Sequence, residues 1–372
     1  MLMNRKLSIG AYQFFSIIFL FEMGSATLVG LAAGAMQDAW ISVLIALGTG
    51  CLIFCIYIKL FELYPELPFT KYVQSILGKF TGKILAMIYI LYFIYIGARV
   101  LRDFEELLVI TLYNASSLIS IGILIMFLVM YAIFKGFEVF GRACELLFVL
   151  TIIITTTIIG FEMIAGLIKI DNLRPVLEVG WKKILMETYP LAVTFPFGEM
   201  VVFTMLLPYL KKPGYAWKIG IPGLIFVGLV LTLITMLNIC VLGANTLQRA
   251  TYPILTSVSY INIADFIQRL DSVVVVIMVI GGFIKIAVFF FCAVIGAGDL
   301  FKIKKSDTLT YPVALIMLIC SIWMAPDYLE HYKEGLDVVP YFLHIPLQIL
   351  IPLVLLVIAL IQNKVKTKEN AA

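Results

Sequence analysis

The amino-acid sequence predicts an all-α polytopic membrane protein of about ten transmembrane helices. Apolar residues make up 62% of the 372 residues, charged residues only 13%, and the mean hydropathy is +1.07. A soluble domain is roughly half apolar and a quarter charged. Apolar stretches of about 20 residues, enough to cross a ~30 Å hydrocarbon core, recur along the whole chain. No polar stretch is long enough to form a separate soluble domain.

The apolar stretches define ten spans, because a helix satisfies backbone polar groups within one segment of chain in lipid. We number them 1 to 10 in chain order. Their predicted positions are 10–33, 38–60, 83–110, 117–134, 143–168, 189–209, 218–243, 272–301, 310–325 and 339–362. Span 1 follows Arg5 and Lys6 as a signal peptide would, but it is too long for one and many spans follow it. We therefore expect a mature helix.

Basic residues predict that both termini are cytoplasmic. With the N-terminus inside, seventeen of the 27 Lys and Arg residues fall on the cytoplasmic side and nine on the outer side, while Lys285 lies within a span. Cytoplasmic loops carry such an excess. The chain is then one membrane domain over 1–372, with five-helix repeats at 1–169 and 189–362 and a cytoplasmic tail at 363–372. An odd number of helices per half gives an inverted repeat, as in many secondary transporters.

The first span of each half is interrupted near its middle. Span 1 contains Gly24 to Ala26, and span 6 contains Phe195 to Glu199 with Pro196 inside it. Proline breaks the helical ladder and glycine permits unwound backbone, although glycine also serves close packing in membranes. Two breaks in matching positions favour a binding site, where a half-helix N-terminus suits a carboxylate and freed carbonyls suit an ammonium group. An amino acid offers both charges.

Three ionisable residues fall near the centre of a span: Glu22, Glu199 and Lys285. A charge at this depth is costly and indicates a functional site by default. Two structural interpretations stand beside it, mutual pairing within the bundle and simple protonation of a glutamate. Lys285 is a candidate for the position of a coupling cation, and Glu22 for proton coupling.

Span 3 carries a charged cluster and a tyrosine stripe. Arg99 with Asp103, and Arg102 with Glu106, have the i,i+4 spacing of helical ion pairs. Self-pairing and snorkelling explain the cluster adequately, and an outer vestibule or a subunit contact is the functional alternative. Aromatic packing is the commoner reason for the stripe, yet Tyr95 is a candidate cavity residue.

The sequence shows no signature of an enzyme, a metal site or a bound cofactor. Its six cysteines form no CxxC pair, and its two histidines have no metal-ligand spacing. Nucleophile elbows, Walker loops and dinucleotide fingerprints are absent from the sequence. The net charge of +4 is small and spread over loops, which gives no reason to expect nucleic acid as a partner.

Short motifs in a fixed order carry a resemblance to a known family. They are Gln37-Asp38-Ala39-Trp40-Ile41, Leu77-Gly78-Lys79, Gly82-Lys83-Ile84, Lys135-Gly136-Phe137-Glu138-Val139, Gly141-Arg142-Ala143-Cys144-Glu145, Phe195-Pro196-Phe197-Gly198-Glu199 and Leu207-Pro208-Tyr209-Leu210-Lys211-Lys212. With these motifs and this topology, the chain resembles the GerAB-like membrane subunits of spore germinant receptors over essentially its whole length. That family looks like a branch of the amino acid–polyamine–organocation transporter superfamily.

The resemblance implies a five-plus-five inverted-repeat fold with an amino-acid-like pocket between spans 1, 3, 6 and 8. Carried onto this sequence, Gly24, Ser25 and Ala26 match the unwound stretch of span 1, and Phe197, Gly198 and Glu199 match that of span 6. With Tyr95, these are the candidate ligand-binding residues. The superfamily often has glycine where this chain has Ala26, and family members often carry Thr-Pro before span 4, where this chain has Asn114 to Ser117.

The resemblance also implies partners and a location. Members act in the spore inner membrane with a larger A-type membrane subunit and a C-type lipoprotein subunit, and they bind a small-molecule germinant. Three functions compete: a nutrient-sensing receptor subunit, a proton-coupled amino-acid permease, and a structural subunit with a degenerate pocket. Fold alone does not separate them, and the sequence does not name the germinant.

Overall fold

The computed structural model describes residues 8–264, 270–303 and 305–369, without the side chains of 306 and 366–369. Within these ranges the chain is helical apart from turns and contains no β-strand. Part of the orientation argument, including Arg5, Lys6 and Lys304, lies outside the described residues, as do residues 370–372 of the predicted tail. The cytoplasmic termini and the two repeats, 1–169 and 189–362, therefore stay predictions.

Each predicted span overlaps a helical segment. Among the described residues, six helices are long and apolar enough to cross a membrane. They form spans 2, 3, 5, 7, 8 and 10, with the bounds Ala33–Leu63, Lys79–Thr111, Phe137–Ile164, Ala216–Leu242, Asp271–Leu300 and Pro340–Val365. Spans 1 and 4 are the shorter apolar helices Ala11–Ala26 and Leu118–Phe134. The chain is an all-α polytopic membrane protein.

Two spans are strongly broken. Span 9 is Asp307–Trp323, followed after a 106° bend by Tyr328–Val338. Span 6 consists of a π-helical turn over Thr188–Ala192 and 3₁₀ turns over Phe197–Met205 and Leu207–Tyr209. Among the described residues, five further helices connect spans: Phe69–Leu77, the 3₁₀ turn Ile170–Leu173, Gly180–Glu187, Ala244–Arg249 and Pro253–Val258.

Burial separates a central group of spans from a peripheral one. In its most apolar window, span 8 is buried at 72% of positions and span 3 at 67%, whereas span 5 is buried at only 11%. Span 8 packs against spans 3 and 1, and span 6 packs against span 2. The backbone of Ile9, just before span 1, bonds to Tyr209 and Lys211 at the end of span 6, with N···O distances of 2.8 and 3.0 Å. The start of span 1 therefore lies beside the end of span 6.

The break in span 1 lies later than predicted. The helix continues through Gly24 and Ser25 to Ala26, and turns follow over 27–32. The reason is that Gly24 serves close packing. A Cβ at Gly24 would lie 3.0 Å from the Gly281 carbonyl oxygen, and a Cβ at Gly281 would lie 2.9 Å from the Gly24 Cα. The two glycines let spans 1 and 8 touch through their backbones.

The interruption predicted in span 6 is present. Phe195 and Pro196 form a turn, joined by a cis peptide bond, and the 3₁₀ helix begins at Phe197. Proline has no N–H to continue the preceding helical ladder, which is why the helix stops here. Glu199 consequently lies in the first turn of the second half-helix.

Candidate functional site

A buried ion pair lies at the centre of the bundle. The ammonium group of Lys285 on span 8 contacts the carboxylate of Glu199 on span 6, and both side chains are almost completely shielded. The Lys285 nitrogen also lies 5.1 Å from the ring centroid of Phe21 and 5.0 Å from that of Phe195, within cation–π range. The Glu199 carboxylate is also stabilised by the positive end of the helix dipole, because it lies in the first turn of a half-helix. Mutual pairing is thus observed for two of the three central ionisable residues.

Glu22 is the third, and it does not pair with the other two. Its side chain is fully buried on span 1, and neither carboxylate oxygen has a hydrogen-bond partner among the described residues. Lys285 and Glu199 still lie close enough to act on its charge. A carboxyl group without a partner in a membrane interior is costly and is a functional hypothesis by default.

A cavity of about 60 Å³ lies where the breaks in spans 1 and 6 meet. We call it the central cavity. Its polar and aromatic lining comprises Ser25, Arg99, Asp103, Phe195, Glu199 and His344. Spans 1, 3 and 6 form three walls, as expected for the pocket. The fourth wall is the stretch from Tyr332 to His344 rather than span 8, which reaches the cavity only through the contact of Lys285 with Glu199.

The central cavity holds one unsatisfied hydroxyl group and charges of both signs. Ser25 is buried, and its Oγ has no hydrogen-bond partner among the described residues. Arg99 brings a positive charge, while Asp103 and Glu199 bring negative charges. A buried polar atom without a partner carries a free-energy cost that an incoming ligand atom can remove.

The 328–338 segment closes one side of this cavity through charged contacts to span 3. Arg99 Nη1 lies 3.3 Å from Glu334 Oε2, and Arg99 Nη2 donates to the His331 carbonyl at 2.5 Å. Asp103 Oδ1 lies 2.8 Å from His331 Nε2. The predicted Arg99–Asp103 self-pair is therefore wrong, because each residue has a long-range partner instead.

The second predicted pair on span 3 is present. Arg102 Nη2 lies 2.9 Å from Glu106 Oε1. Arg102 Nη1 also donates to the Ser321 carbonyl at 3.3 Å, near the end of the first helix of span 9. This part of the cluster is accounted for by packing between spans 3 and 9.

The other candidate ligand-binding residues lie outside the central cavity lining. Tyr95 is adjacent, since its hydroxyl accepts from Arg99 Nη1 at 3.3 Å. Gly24 faces span 8, and Ala26 faces a separate small cavity beside span 7. Phe197 packs on Gly50 of span 2, and Gly198 lies against the Gln348 side chain, which a Cβ at 198 would strike. Of the seven candidates, Ser25 and Glu199 line the cavity.

A hydrogen-bond network that was not predicted from the sequence holds span 10 against spans 2 and 3. Tyr57 donates to the Gln348 carbonyl and Tyr89 to the Leu347 carbonyl, both at 2.5 Å. Pro352 accounts for the first of these bonds, because it has no N–H for the Gln348 carbonyl, four residues earlier.

The same network reaches the central cavity. The Tyr92 hydroxyl accepts from Gln348 Nε2 at 2.8 Å and lies 2.7 Å from His344 Nδ1. His344 in turn lines the cavity. Two features of the sequence bear on this network: the tyrosine stripe of span 3, which includes Tyr89 and Tyr92, and the prolines of span 10. In the part of the chain that is described, no cluster of three or more His, Cys, Asp or Glu side chains is arranged to hold a metal ion.

Comparison with known proteins adds family information to this geometry. The profile of a family described as spore germination protein matches residues 8–329. The chain belongs to the spore germination protein family. It is 36% identical to spore germination protein KB of Bacillus subtilis over 365 residues, which is 98% of each chain. It is also 29% identical to spore germination protein YndE of the same organism, over 72% of this chain and 73% of the relative.

A more distant relative extends the comparison. Spore germination protein A2 of Bacillus subtilis is 24% identical over 322 residues, which covers 82% of this chain and 85% of the relative. The resemblance inferred from the motifs is confirmed at the level of the family. An integral membrane location and membership of a receptor assembly are consistent with this family and with the apolar helices.

Proposed function

We propose that this chain is the germinant-binding membrane subunit of a spore germinant receptor and that it binds an amino acid in the central cavity. One observation carries this proposal: the cavity joins the breaks of spans 1 and 6 and presents a cation, two carboxylates and an unsatisfied hydroxyl group to a single small volume. A zwitterion is the ligand that such a set of groups complements.

The groups suggest an orientation for the ligand. Arg99 is the donor for the ligand carboxylate, since a guanidinium group binds carboxylates in a bidentate manner. Glu199 and Asp103 are the acceptors for the ligand ammonium group, and Ser25 Oγ is a further acceptor for the same group. The expectation that a half-helix N-terminus binds the carboxylate changes in this proposal, because Glu199 already occupies that place on span 6.

Ligand binding would act on two existing contacts. A carboxylate on Arg99 competes with Glu334 and so weakens the attachment of the 328–338 segment to span 3. An ammonium group near Glu199 competes with Lys285 and so loosens span 8 from span 6. A receptor needs only a difference in ligand affinity between two such states. In this proposal the signal passes to A-type and C-type subunits in the spore inner membrane, with both termini of this chain cytoplasmic.

The experiment that tests the proposal is nutrient-triggered dipicolinate release from dormant spores. Spores that lack this gene are challenged with a panel of single nutrients and compared with spores complemented by the wild-type gene and by Ser25→Ala. Loss of the response to one amino acid, restored by the wild-type gene with a changed concentration dependence in Ser25→Ala, supports the proposal. An unchanged response to every nutrient in a strain without other receptors of this family would overturn it.

A proton-coupled amino-acid permease is the second candidate. The observation that favours it is Glu22, a buried carboxyl group without a partner beside the Lys285–Glu199 pair. Transporters place such groups where protonation is coupled to substrate movement. Purified chain in proteoliposomes separates the two functions: uptake of a labelled amino acid driven by a proton gradient, and lost in Glu22→Gln, would establish the permease.

A further inference from the structure

A second cavity lies on the opposite side of span 1 from the central cavity. It also measures about 60 Å³, and we call it the rear cavity. Its walls come from spans 1, 5, 7 and 8 and from the short helix Pro253–Val258. Residues that define it are Met23, Thr27, Glu162, Asn238, Ser257 and Ile277. None of the candidate site residues inferred from the sequence lies in its lining.

Two buried polar side chains lie in the lining of the rear cavity. Glu162 is 4% exposed and Asn238 is 7% exposed. Across the described residues, Glu162 forms no ion pair and the Asn238 amide forms no hydrogen bond. The Ser257 hydroxyl lies within hydrogen-bond reach of Glu162, but its single proton also has the Ile254 carbonyl as an acceptor, at 3.0 Å. A buried carboxyl group without an ion pair and a buried amide without a hydrogen bond, both in the lining of one cavity, leave acceptor oxygens open to a further hydrogen-bond donor.

The rest of the rear cavity is apolar. Isoleucine, leucine, valine and methionine side chains from spans 1, 5, 7 and 8 make up most of its lining. An occupant must therefore combine one strong donor group with a short hydrocarbon body. A primary ammonium group satisfies Glu162 by charge and has further protons for the Asn238 carbonyl oxygen.

We propose that the rear cavity is a binding site for a small amphiphilic primary amine, with its ammonium group on Glu162 and Asn238 and its alkyl chain along Met23 and Ile277. The shared chemistry, a primary ammonium group on an apolar body, occurs both in soluble alkylamines and in the headgroup of an aminophospholipid. The site is separate from the central cavity, and amine binding there does not require the proposed germinant site to be correct.

The position of the rear cavity allows an occupant to act on the conformation of span 1. Met23 and Thr27 face the rear cavity, while Ser25, between them in sequence, faces the central cavity. The Thr27 hydroxyl also closes the last helical turn by donating to the Gly24 carbonyl at 3.0 Å. An occupant of the rear cavity would therefore favour one arrangement of the span 1 break. By linkage, it would change affinity at the central cavity, and a central ligand would change affinity at the rear cavity equally.

The test uses the purified full-length chain in nanodiscs of phosphatidylglycerol, titrated with 1-aminohexane, 1-hexanol or hexanoate while thermal unfolding is recorded. We expect a saturable rise in Tm with the amine, a smaller one with the alcohol and none with the carboxylate. Glu162→Gln should lower the apparent amine affinity by at least about tenfold, because it removes the charge that holds the ammonium group. Glu145→Gln on the same helix lies outside the cavity lining and is the matched control.

A second variant guards against a change in overall folding. Ile277→Phe fills the apolar part of the cavity and leaves Glu162 in place, so it should remove the response to the amine and the alcohol alike. Nanodiscs that also contain phosphatidylethanolamine separate the two sources: a weakened 1-aminohexane response there identifies the lipid headgroup as a competitor, and an unchanged one identifies a soluble amine. Equal responses of wild type, Glu162→Gln and Ile277→Phe would show only partition into the lipid and would overturn the proposal.

Discussion

The Lys285 ammonium group on span 8 meets the Glu199 carboxylate on span 6 directly after the helix break, in a place shielded from solvent. Removing charged groups from water is costly, and their attraction offsets that cost only while both partners remain. The pair therefore ties the interrupted span to a largely buried helix of the bundle, and it does so beside the central cavity. A structural role and the proposed functional role predict different outcomes in single and double variants.

We expect Lys285→Met to lower the free energy of unfolding by about 3–5 kcal/mol, because it leaves Glu199 buried and unpaired. Lys285→Met combined with Glu199→Gln should recover most of that loss, since no charge remains. If the pair acts in the response to the ligand, germination should fail in both of these variants and also in Lys285→Ala. Thermal unfolding of the purified chain and dipicolinate release are the two measurements. A double variant that is stable and responds normally would leave the pair with a structural role only.

Ser25→Ala should raise the nutrient concentration needed for half-maximal dipicolinate release by about fivefold, the equivalent of one lost hydrogen bond of about 1 kcal/mol. Its stability should not fall, because the hydroxyl group has no partner among the described residues. Ser16→Ala is the matched control: Ser16 is buried on the same helix with an unsatisfied hydroxyl group, but it lies outside the central cavity lining. Equal effects of the two substitutions would contradict the placement of the ligand.

Glu334→Gln should make the receptor more sensitive, with about two- to fivefold less nutrient needed for the half-maximal response. In the proposed binding mode Glu334 competes with the ligand carboxylate for Arg99, and a partly exposed ion pair contributes up to about 1 kcal/mol. Arg99→Gln should abolish the response by removing the group that both carboxylates bind. Glu330→Gln, on the exposed face of the same segment, should change nothing. A loss of sensitivity in Glu334→Gln would mean that the 328–338 segment must stay attached for signalling.

The spans could be predicted from the sequence because bilayer thickness sets the length of an apolar helix. The break in span 6 could be predicted because Pro196 has no N–H to continue the helical ladder. The break in span 1 was misplaced because Gly24 has two uses, unwinding and close packing, and only the neighbouring Gly281 decides between them. Local sequence cannot reveal a neighbour on another span.

The charged partners on span 3 show the same limit. At i,i+4 spacing, Arg99 and Asp103 satisfy the local rule for a helical pair. Their actual partners, Glu334 and His331, lie more than two hundred residues away in sequence and reach span 3 only because span 9 bends by 106°. Tertiary packing thus overrides a weak local preference of a few tenths of a kcal/mol.

Gly24→Ala should destabilise the chain by about 1–3 kcal/mol, because its new methyl group would meet the Gly281 carbonyl oxygen and the Lys285 side chain at 3.0 to 3.2 Å. Gly48→Ala on span 2 is the control, since a Cβ there has nothing within 4 Å. In the helix this second substitution should be neutral or stabilising by about 0.5–1 kcal/mol.

The pair of glycine variants also reports on function. Separating spans 1 and 8 at Gly24 displaces Lys285 relative to Glu199, so germination should weaken beyond what the stability loss explains. If Gly24→Ala were as stable as wild type in thermal unfolding, spans 1 and 8 would not meet through these two glycines.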